Sequence, residues 1–408
     1  MRRFLIFVIT SLFFNISYCQ LVNDNSNGNV NVIQTCASSL SLNPNAQSMG
    51  IGNIGVVASS EYYETGLTQN PALLSRNEKV AGLKISYMPW LKNLQPGMYL
   101  ANIGLYTSIN EKMSIGFTFN YFSYGSIVFT DYLGNSINTF NPKEFYGDLK
   151  YAYSINPNLS LGMGLKYIHS DMTGGMFMGG VETHPGRVLA GDIGIDYHRE
   201  IKNNEDKFWR YDIGASITNI GNKINYDNIN MDFIPITLRI GAMLTFTKKI
   251  NNDLSYCIDM AYQMEKLLVP TPPIYSYDSI DNYGNYIIVA GMNPDVSVPQ
   301  GMIQSFYDAP EGGKEELREI IHIIGIENRF IYKNDYSFSI RMGHFNEHRL
   351  KGNRKFFLYG FGVRYKYIYI DFSKLLAYMD SNHNYQLENK YNPRTIWNIT
   401  LGLKHDFN

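Results

Sequence analysis

Large apolar residues alternate with small or polar residues along much of this 408-residue chain. In residues 397–407 the odd positions are mostly apolar, whereas the even positions are Asn, Thr, Gly, Lys and Asp. A repeat of two is the period of a β-strand whose two faces meet different surroundings. Repeated around a closed sheet, such strands separate lipid from a wet lumen, so the pattern predicts a transmembrane β-barrel. The alternation recurs in residues 114–121, 159–167, 192–198, 236–246 and 254–263.

Fourteen antiparallel strands are predicted from the alternation and from the turn residues that interrupt it. An even number is usual for a closed barrel of this kind. The apolar parity changes near Lys366, which predicts a tight turn or a bulge there. Arg in place of outward-facing Leu401 should disturb such a barrel more than Arg in place of inward-facing Thr400. The predicted strands span residues 80–88, 98–109, 113–123, 144–155, 158–169, 187–198, 208–219, 235–247, 253–264, 320–332, 336–345, 356–365, 367–373 and 395–407.

The connections between these strands fall into a short and a long group. Short turns rich in Asn, Pro and Asp are expected at 110–112, 156–158, 249–252 and 333–335. The long connections are 124–143, 170–186, 220–234, 265–319 and 374–394. Outer-membrane barrels place long loops outside the cell, so residues 265–319 are expected to form the largest extracellular loop.

This long loop combines prolines with apolar and aromatic residues. Its prolines cannot donate to a β-ladder, so residues 267–273 are not a central strand, and a short helix is expected at 313–319. Prolines also lower the entropy lost on binding, and an apolar loop is a surface that a partner could cover. The predicted partner-binding residues are Leu267, Leu268, Val269, Pro270, Pro272, Pro273, Ile274, Tyr275 and Tyr277.

The N-terminus carries the features of an export signal. Two arginines precede an apolar run at 4–16 that is too short to span a bilayer, which predicts a signal peptide over residues 1–19. A lipoprotein with Cys19 as the lipidated residue is the alternative. Residues 20–48 are rich in Asn and Ser without periodicity, so a mobile leader is expected there. An exported chain with amphipathic strands belongs in the outer membrane.

The composition agrees with a barrel, and the net charge argues against a partner that is bound by overall charge attraction. Tyr (32), Phe (23) and Gly (35) are abundant, as aromatic girdles and a crowded inner wall require. The net charge of -1 gives no field that would attract nucleic acid. Two cysteines remain after maturation, Cys36 and Cys257, and two free thiols or one bridge both fit their positions.

Two groups of residues resemble enzyme or metal sites. Asp192, Asp196 and His198 share one face of a strand, but inward-facing cations can pair with them. Those cations are Arg239, Arg341, Arg364, Lys166 and Lys404. His344 and His348 have a metal-ligand spacing only on a helix, and this region has the pattern of a strand end and loop. We therefore expect no enzyme activity and no catalytic residue, cofactor or metal.

Several short segments are similar to known families. Residues 49–56, followed by Asn70-Pro71-Ala72, resemble the N-terminal hatch of FadL-type outer-membrane barrels. Residues 86–91, 125–131, 266–273, 313–317 and 351–355 resemble the PorV family of the type IX secretion system of Bacteroidota. The resemblance runs from about Ala46 to the C-terminus. It implies an all-β, FadL-like barrel of fourteen strands over residues 80–408 and a hatch segment over 49–79 with the motif Asn70, Pro71, Ala72.

The resemblance also implies a role in protein transport. PorV-like proteins associate with a giant translocon barrel in the outer membrane and receive cargo that carries a C-terminal signal domain. They take this cargo to an attachment complex, where a PorU-type sortase removes the signal and links the cargo to lipopolysaccharide. The alternative is a FadL-like channel for small hydrophobic molecules, which requires a continuous apolar pocket behind the hatch.

Overall fold

The computed structural model describes most of the chain. The described residues are 30–59, 63–76, 80–92, 95–131, 133–178, 181–204, 206–280, 284, 286–377 and 395–406. The expected signal peptide and residues 20–29 of the expected leader lie outside them. In the described ranges no helix is both long and apolar enough to cross a bilayer.

Fourteen antiparallel strands close into one barrel, as predicted. Closure is made by the pairing of the first strand with the last, from Val80 opposite Asp406 to Tyr87 opposite Ile399. The strands are β1 (Val80–Pro89), β2 (Met98–Ser108), β3 (Met113–Tyr124), β4 (Lys143–Asn156), β5 (Leu159–Asp171), β6 (Gly186–Asn204), β7 (Lys207–Gly221), β8 (Thr237–Lys249), β9 (Leu254–Leu267), β10 (Ile321–Tyr332), β11 (Tyr336–Asn346), β12 (Lys355–Tyr365), β13 (Ile368–Ala377) and β14 (Thr395–Asp406).

The predicted alternation sets which side chains face lipid. Leu165 and Leu401 are exposed on the outer surface, whereas Lys166 and Thr400, their neighbours in sequence, are buried inside. Ile236 is an exception, because it lies before β8 begins and is buried among loop residues. The parity change near Lys366 is a two-residue turn between β12 and β13, with a positive φ of 50° at Lys366. The sequence therefore predicted both the strands and their facing.

Long connections gather at one end of the barrel, here called the loop end, and short turns gather at the turn end. Four of the long connections carry small two-stranded hairpins, which the alternation did not reveal. These are Ile127–Thr130 with Ser136–Phe140, Phe177–Met178 with Val181–Glu182, Ile224–Asn225 with Met231–Asp232, and Ile274–Ile280 with Tyr286–Ala290. The last connection also contains α2 (Val298–Gln304) and α3 (Gly313–Arg318), and α3 confirms the expected helix.

A lumen segment, defined here as the described residues of 31–76 (31–59 and 63–76), lies inside the barrel. It contains α1 (Ala46–Gly50) and 3₁₀ turns at Ser38–Ser41, Tyr63–Leu67 and Pro71–Arg76. Its backbone is held by side chains of the inner wall: Gln263 Oε1 accepts from the amides of Gly55 and Val56, both at 3.1 Å. Because the segment lacks regular partners for its own amides, the wall has to supply them.

Asn70 in the Asn-Pro-Ala element acts as a cross-link. Its Nδ2 donates to the carbonyl of Val56 at 2.8 Å and to the carbonyl of Ile195 on β6 at 3.0 Å. Its Oδ1 accepts from the amide of Ala72 at 3.1 Å and so fixes the turn that follows. An amide is the one small side chain that can donate twice and accept once here.

Glycines on the inner wall let the lumen segment lie directly on the strands. A Cβ atom on Gly194 would come within 2.1 Å of Asn70 Oδ1, and one on Gly343 within 2.2 Å of the amide of Gly52. These approaches leave no space for any side chain. The abundance of glycine therefore serves the contact between wall and segment. Similar contacts involve Gly162, Gly214, Gly241 and Gly325.

The expected mobile leader is wrong for residues 31–48, because the barrel binds them. The amide of Ala46 donates to Thr400 Oγ1 at 2.9 Å, and the amide of Ser39 donates to Glu144 Oε2 at 3.2 Å. The leader was predicted to be mobile because its sequence has no periodicity. Hydrogen bonds to the barrel wall hold it in place without a periodic apolar face. The hydrogen bond from Ala46 also corrects the expectation that Arg would be tolerated at Thr400. Thr400 is buried against the lumen segment and does not face water, so there is no space for a larger side chain.

Arg at Leu401, in the middle of β14, should destabilise the barrel by about 2–4 kcal/mol, because a cation would face hydrocarbon. Leu401→Phe, which keeps the outer face apolar, is the matched control. Heat-modifiable gel mobility in extracted membranes measures the folded fraction. Equal loss of the folded form in both variants would contradict the lipid-facing assignment.

Gly194→Ala should destabilise the lumen segment by about 1–3 kcal/mol, because the new methyl group overlaps the side chain of Asn70. Gly147→Ala is the control, since its Cβ would meet nothing closer than 3.8 Å. Thermal unfolding of the purified barrel and protease access to residues 31–76 report the change. Indistinguishable unfolding temperatures for the two variants would refute a close contact.

Candidate functional site

The long loop between β9 and β10 is tied to the barrel by a cluster of buried charges, here called the latch. Lys266 at the end of β9 contacts Glu319 at 2.5 Å and Glu316 at 3.0 Å. Lys351, in the turn before β12, contacts Glu315 at 2.5 Å and Glu319 at 2.9 Å. These ion pairs join α3, together with Glu319 that follows it, to the end of β9 and to the connection before β12. The loop is therefore held in one orientation.

Apolar packing anchors the start of the same loop. Leu268 and Val269 are buried with Phe233, Ile234 and Ile236 from the connection between β7 and β8. Inward-facing apolar residues near the loop end of β4 to β6 belong to the same cluster, namely Tyr146, Ile168, Val188 and Ala190. On this side of the barrel, loop residues thus cover the apolar part of the inner wall.

The structure divides the predicted partner-binding residues into two groups. Leu268, Val269, Pro270 and Pro273 are buried, and Leu267 and Pro272 are half-buried. Ile274 and Tyr275 are exposed, whereas the side chain of Tyr277 lies outside the described residues. The expectation that the Pro-rich stretch is an open docking surface is wrong for its first half, because the protein covers those side chains itself.

Further exposed apolar residues follow in the same loop and were missed from the sequence. In the hairpin after Pro273, Val289 is 66% exposed and Ile287 is 45% exposed. The available signal in the sequence was the unbroken apolar run from Tyr286 to Ala290. Other exposed apolar side chains of this loop are Tyr286, Met292, Ile303, Phe306, Tyr307 and Leu317. An apolar surface of this kind is typical of a binding surface.

Hairpins of the neighbouring loops also expose apolar residues. Val128 and Ile137 lie on one hairpin, Phe177 on the next and Met231 on the third. The first two hairpins adjoin, since a Cβ on Gly174 would lie 2.8 Å from the ring of Phe140. The loop end therefore presents exposed apolar residues both on the long loop and on these hairpins.

Asp308 lies buried in the long loop beside the latch. Its Oδ2 accepts from the amide of Thr271 at 3.1 Å. Burial raises the pKa of Asp308 to about 6, and the nearby carboxylates of Glu316 and Glu319 contribute to the rise. The neutral form is therefore favoured in the folded loop at mildly acidic pH.

A cavity of about 520 Å³ lies at the loop end, between the lumen segment and the strand ends. Its apolar lining includes Met88, Phe122, Leu358 and Leu375, which face inward from four strands and pack against the lumen segment. The lining also includes three cations and three carboxylates. These are Arg239, Lys351, Arg354, Glu265, Glu319 and Glu347.

The suspected acid–base group is engaged in the lumen ion pairs. Asp192 contacts Lys150 at 2.6 Å and Lys166 at 3.3 Å. Asp196 accepts from Nε of Arg76 in the lumen segment at 2.5 Å. The expected pairing of Asp192 with Lys166 is confirmed, whereas Arg76 and Lys150 were not foreseen. Elsewhere on the wall Arg239 pairs with Glu265, and Arg341 pairs with Glu327 and Asp371.

The two histidines at the end of β11 have separate roles. His344 packs on Phe357 with ring centroids 5.0 Å apart, and His348 accepts from the amide of Leu350 at 3.2 Å. Among the described side chains, no group of three or more His, Cys, Asp and Glu could hold a metal ion. Cys36 and Cys257 are not joined by a disulfide. Burial and, to a smaller extent, nearby Asp232 together raise the pKa of Cys36 to about 12.

Protection of the long loop should decrease as pH rises from about 5 to 7.5. A carboxyl group with a raised folded pKa stabilises the fold below its unfolded pKa, and this contribution is lost as pH rises through the folded value. Asp308→Asn stays neutral and should remove most of this dependence. Asp295→Asn, whose side chain is 91% exposed, is the control. Limited proteolysis of the loop measures the effect, and an unchanged pH profile in Asp308→Asn would contradict it.

Several solved structures are similar to this chain in architecture. A FadL homologue of Pseudomonas aeruginosa is 10% identical, with 93% of this chain and 100% of that chain covered and a TM-score of 0.40. The Ralstonia pickettii toluene transporter TbuX is 12% identical, with 89% and 98% covered and a TM-score of 0.41. The Pseudomonas putida toluene transporter TodX is 10% identical, with 88% and 97% covered and a TM-score of 0.40.

The sequence comparisons are more specific. No curated protein sequence matches the chain. A family model described as the type IX secretion system protein PorV matches residues 25–274, which include the lumen segment and the strands through β9. More than half of the chain is matched, and the barrel and its Asn-Pro-Ala element agree with the resemblance described above. The chain belongs to the PorV family of the type IX secretion system.

Proposed function

We propose that this protein is a non-enzymatic outer-membrane component of type IX secretion. It receives cargo from the giant translocon barrel through the C-terminal signal domain of the cargo. It then carries the cargo to the attachment complex, where a PorU-type sortase links it to lipopolysaccharide. Family membership supports the secretion system, and the observation that carries the transport role is the latched loop with its exposed apolar surface.

The loop end is proposed to face the cell exterior, as long loops of outer-membrane barrels do. The long loop would then meet the translocon with residues such as Ile287 and Val289. The neighbouring hairpins, with Val128 and Ile137, would engage the cargo signal domain. A loop that the latch already orders loses little entropy on association, and this supports a docking role.

The hairpin Ile274–Ile280 with Tyr286–Ala290 can be removed without disturbing the latch. Its two ends meet, since a Cβ on Gly291 would lie 3.1 Å from Cα of Pro273. Replacing residues 274–290 with two glycines should leave a folded barrel, because Leu268, Val269 and α3 keep their contacts. Co-purification with the translocon should fall at least about tenfold, and cargo secretion should fall with it.

The matched variant carries Val128→Ser and Ile137→Ser on a neighbouring hairpin. It should retain the translocon but lose cargo from the complex, because the two surfaces have different partners. Barrel abundance, translocon recovery and cargo recovery are measured in the same strains. Normal translocon binding and normal secretion without the hairpin would refute the proposal and favour the alternative, a channel for small hydrophobic molecules.

That channel would need a passage from the loop end to the turn end. The lumen segment lies between them and contacts glycines on many strands of the wall. Uptake of a small hydrophobic compound into proteoliposomes distinguishes the two functions. The secretion proposal expects no uptake above that of empty liposomes.

A further inference from the structure

The outer surface carries two lysines that lie side by side at the turn end. Lys207 at the start of β7 and Lys248 near the end of β8 are register partners, and both are exposed. Lys207 has the parity of Ile213 and Lys248 has the parity of Leu244, which are exposed on the outer face. Like charges directly opposite each other on one face of a sheet repel. A bound anion would remove this repulsion.

A third cation, Arg199, lies on the same face of β6. It is opposite Tyr211 in the register, one outward-facing pair beyond Trp209, and its side chain is exposed. In the described part of the chain, the structure shows no ion pair for Arg199, Lys207 or Lys248. The outer surface around Trp209 thus carries three positive charges, here called the basic cluster, although the net charge of the whole chain is -1.

The backbone holds the two lysine strands together. The turn between β6 and β7 is joined to the turn between β8 and β9, because the amide of Lys249 donates to the carbonyl of Asp206 at 2.8 Å. Separation of the strands therefore does not relieve the repulsion between Lys207 and Lys248. Nearby carboxylates do not relieve it either. Glu200 has the inward parity of the even positions of β6, and no ion pair joins Asp206 to a lysine among the described side chains.

Aromatic side chains set the depth of the basic cluster in the membrane. Trp209 and Phe246 are the next outward-facing register pair after Lys207 and Lys248, and their ring centroids are 4.7 Å apart. Two residues of a strand span about 7 Å. Aromatic residues of membrane proteins collect at the level of the lipid head groups. The lysines, one step closer to the turn end, therefore lie where lipid phosphates are expected.

We propose that the basic cluster binds the head group of an anionic glycerophospholipid of the surrounding membrane. The phosphodiester lies between Lys207 and Lys248, and Arg199 adds a third positive charge beside it. The rings of Trp209 and Phe246 pack against the glycerol esters and the first part of the acyl chains. With the loop end outside the cell, this lipid belongs to the inner leaflet of the outer membrane. Only the choice of leaflet rests on the orientation proposed above.

The test uses the full-length protein in phosphatidylcholine nanodiscs that contain one of two photoreactive lipids. Both lipids carry a diazirine near the glycerol end of one acyl chain. One has the negative head group of phosphatidylglycerol, and the other has the phosphatidylcholine head group, which is neutral overall. After illumination, adducts are located by mass spectrometry. Phosphatidylglycerol should label Trp209, Phe246 and their neighbours at least about fivefold more than phosphatidylcholine does.

The region of Tyr332 and Tyr365, also at the turn end, should be labelled to a similar extent by both lipids. Equal labelling by both lipids at Trp209 would overturn the proposal. The same preference around the whole turn end would also overturn it, because general charge attraction would then explain the result. Both leaflets of a nanodisc contain the same lipid, so the result does not depend on orientation. A failure of this test leaves the secretion proposal as it stands.

Neutral variants test which cations bind the head group. Lys207→Gln combined with Lys248→Gln should lower the preference for phosphatidylglycerol at Trp209 to less than about twofold. Lys333→Gln combined with Lys366→Gln is the matched control, since these two lysines lie over tyrosine rings at 5.3 and 5.6 Å, and the preference should stay unchanged. Heat-modifiable mobility identifies variants that fold. A full preference in the folded Lys207 and Lys248 variant would overturn the site, and the wild-type comparison decides lipid preference even where a variant does not fold.

Discussion

A backbone amide inside a bilayer has to find its partner within the protein, and the rest of this structure depends on that requirement. Pairing of β1 with β14 satisfies the last open edge and closes the sheet. Closure fixes which side chains point inward, since residues alternate on every strand. The same requirement applies to the lumen segment, because its backbone amides are also buried and need partners within the protein. Side-chain oxygens of Gln263, Asn70 and Thr400 accept from these amides, as water would elsewhere.

An irregular chain segment inside a barrel needs space as well as hydrogen-bond partners. Backbone can approach backbone only where no side chain intervenes, so the wall carries glycine at Gly162, Gly194 and Gly343. Elsewhere the wall carries charges, and these pair across strands or with the segment, as Asp196 does with Arg76. Burying such pairs costs hydration, and they contribute specificity more than stability. The segment is thereby held in one register.

The sequence predicted the barrel because period-two alternation reports directly on two different surroundings. It predicted all fourteen strands, the turn at Lys366 and the inward facing of Asp192 and Lys166. It did not predict that residues 31–48 are ordered, because their partners, such as Thr400 and Glu144, lie far away along the chain. Nor did it separate buried Leu268 from exposed Ile274, since burial in a loop depends on which other loops adjoin. Local patterns record local surroundings, and contacts between distant irregular segments leave no period.

The latch explains why a loop of this length can carry a specific surface. A long irregular loop loses much conformational entropy when it is ordered, and apolar packing alone is not directional. Lys266 reaches Glu319 from the end of β9 and Lys351 reaches it from the connection before β12, so the position of α3 is fixed in more than one direction. The entropy of ordering is then lost during folding rather than on association. Residues such as Ile287 and Val289 remain exposed on a loop that is already ordered, which is the state in which an apolar surface binds a partner with the least further loss.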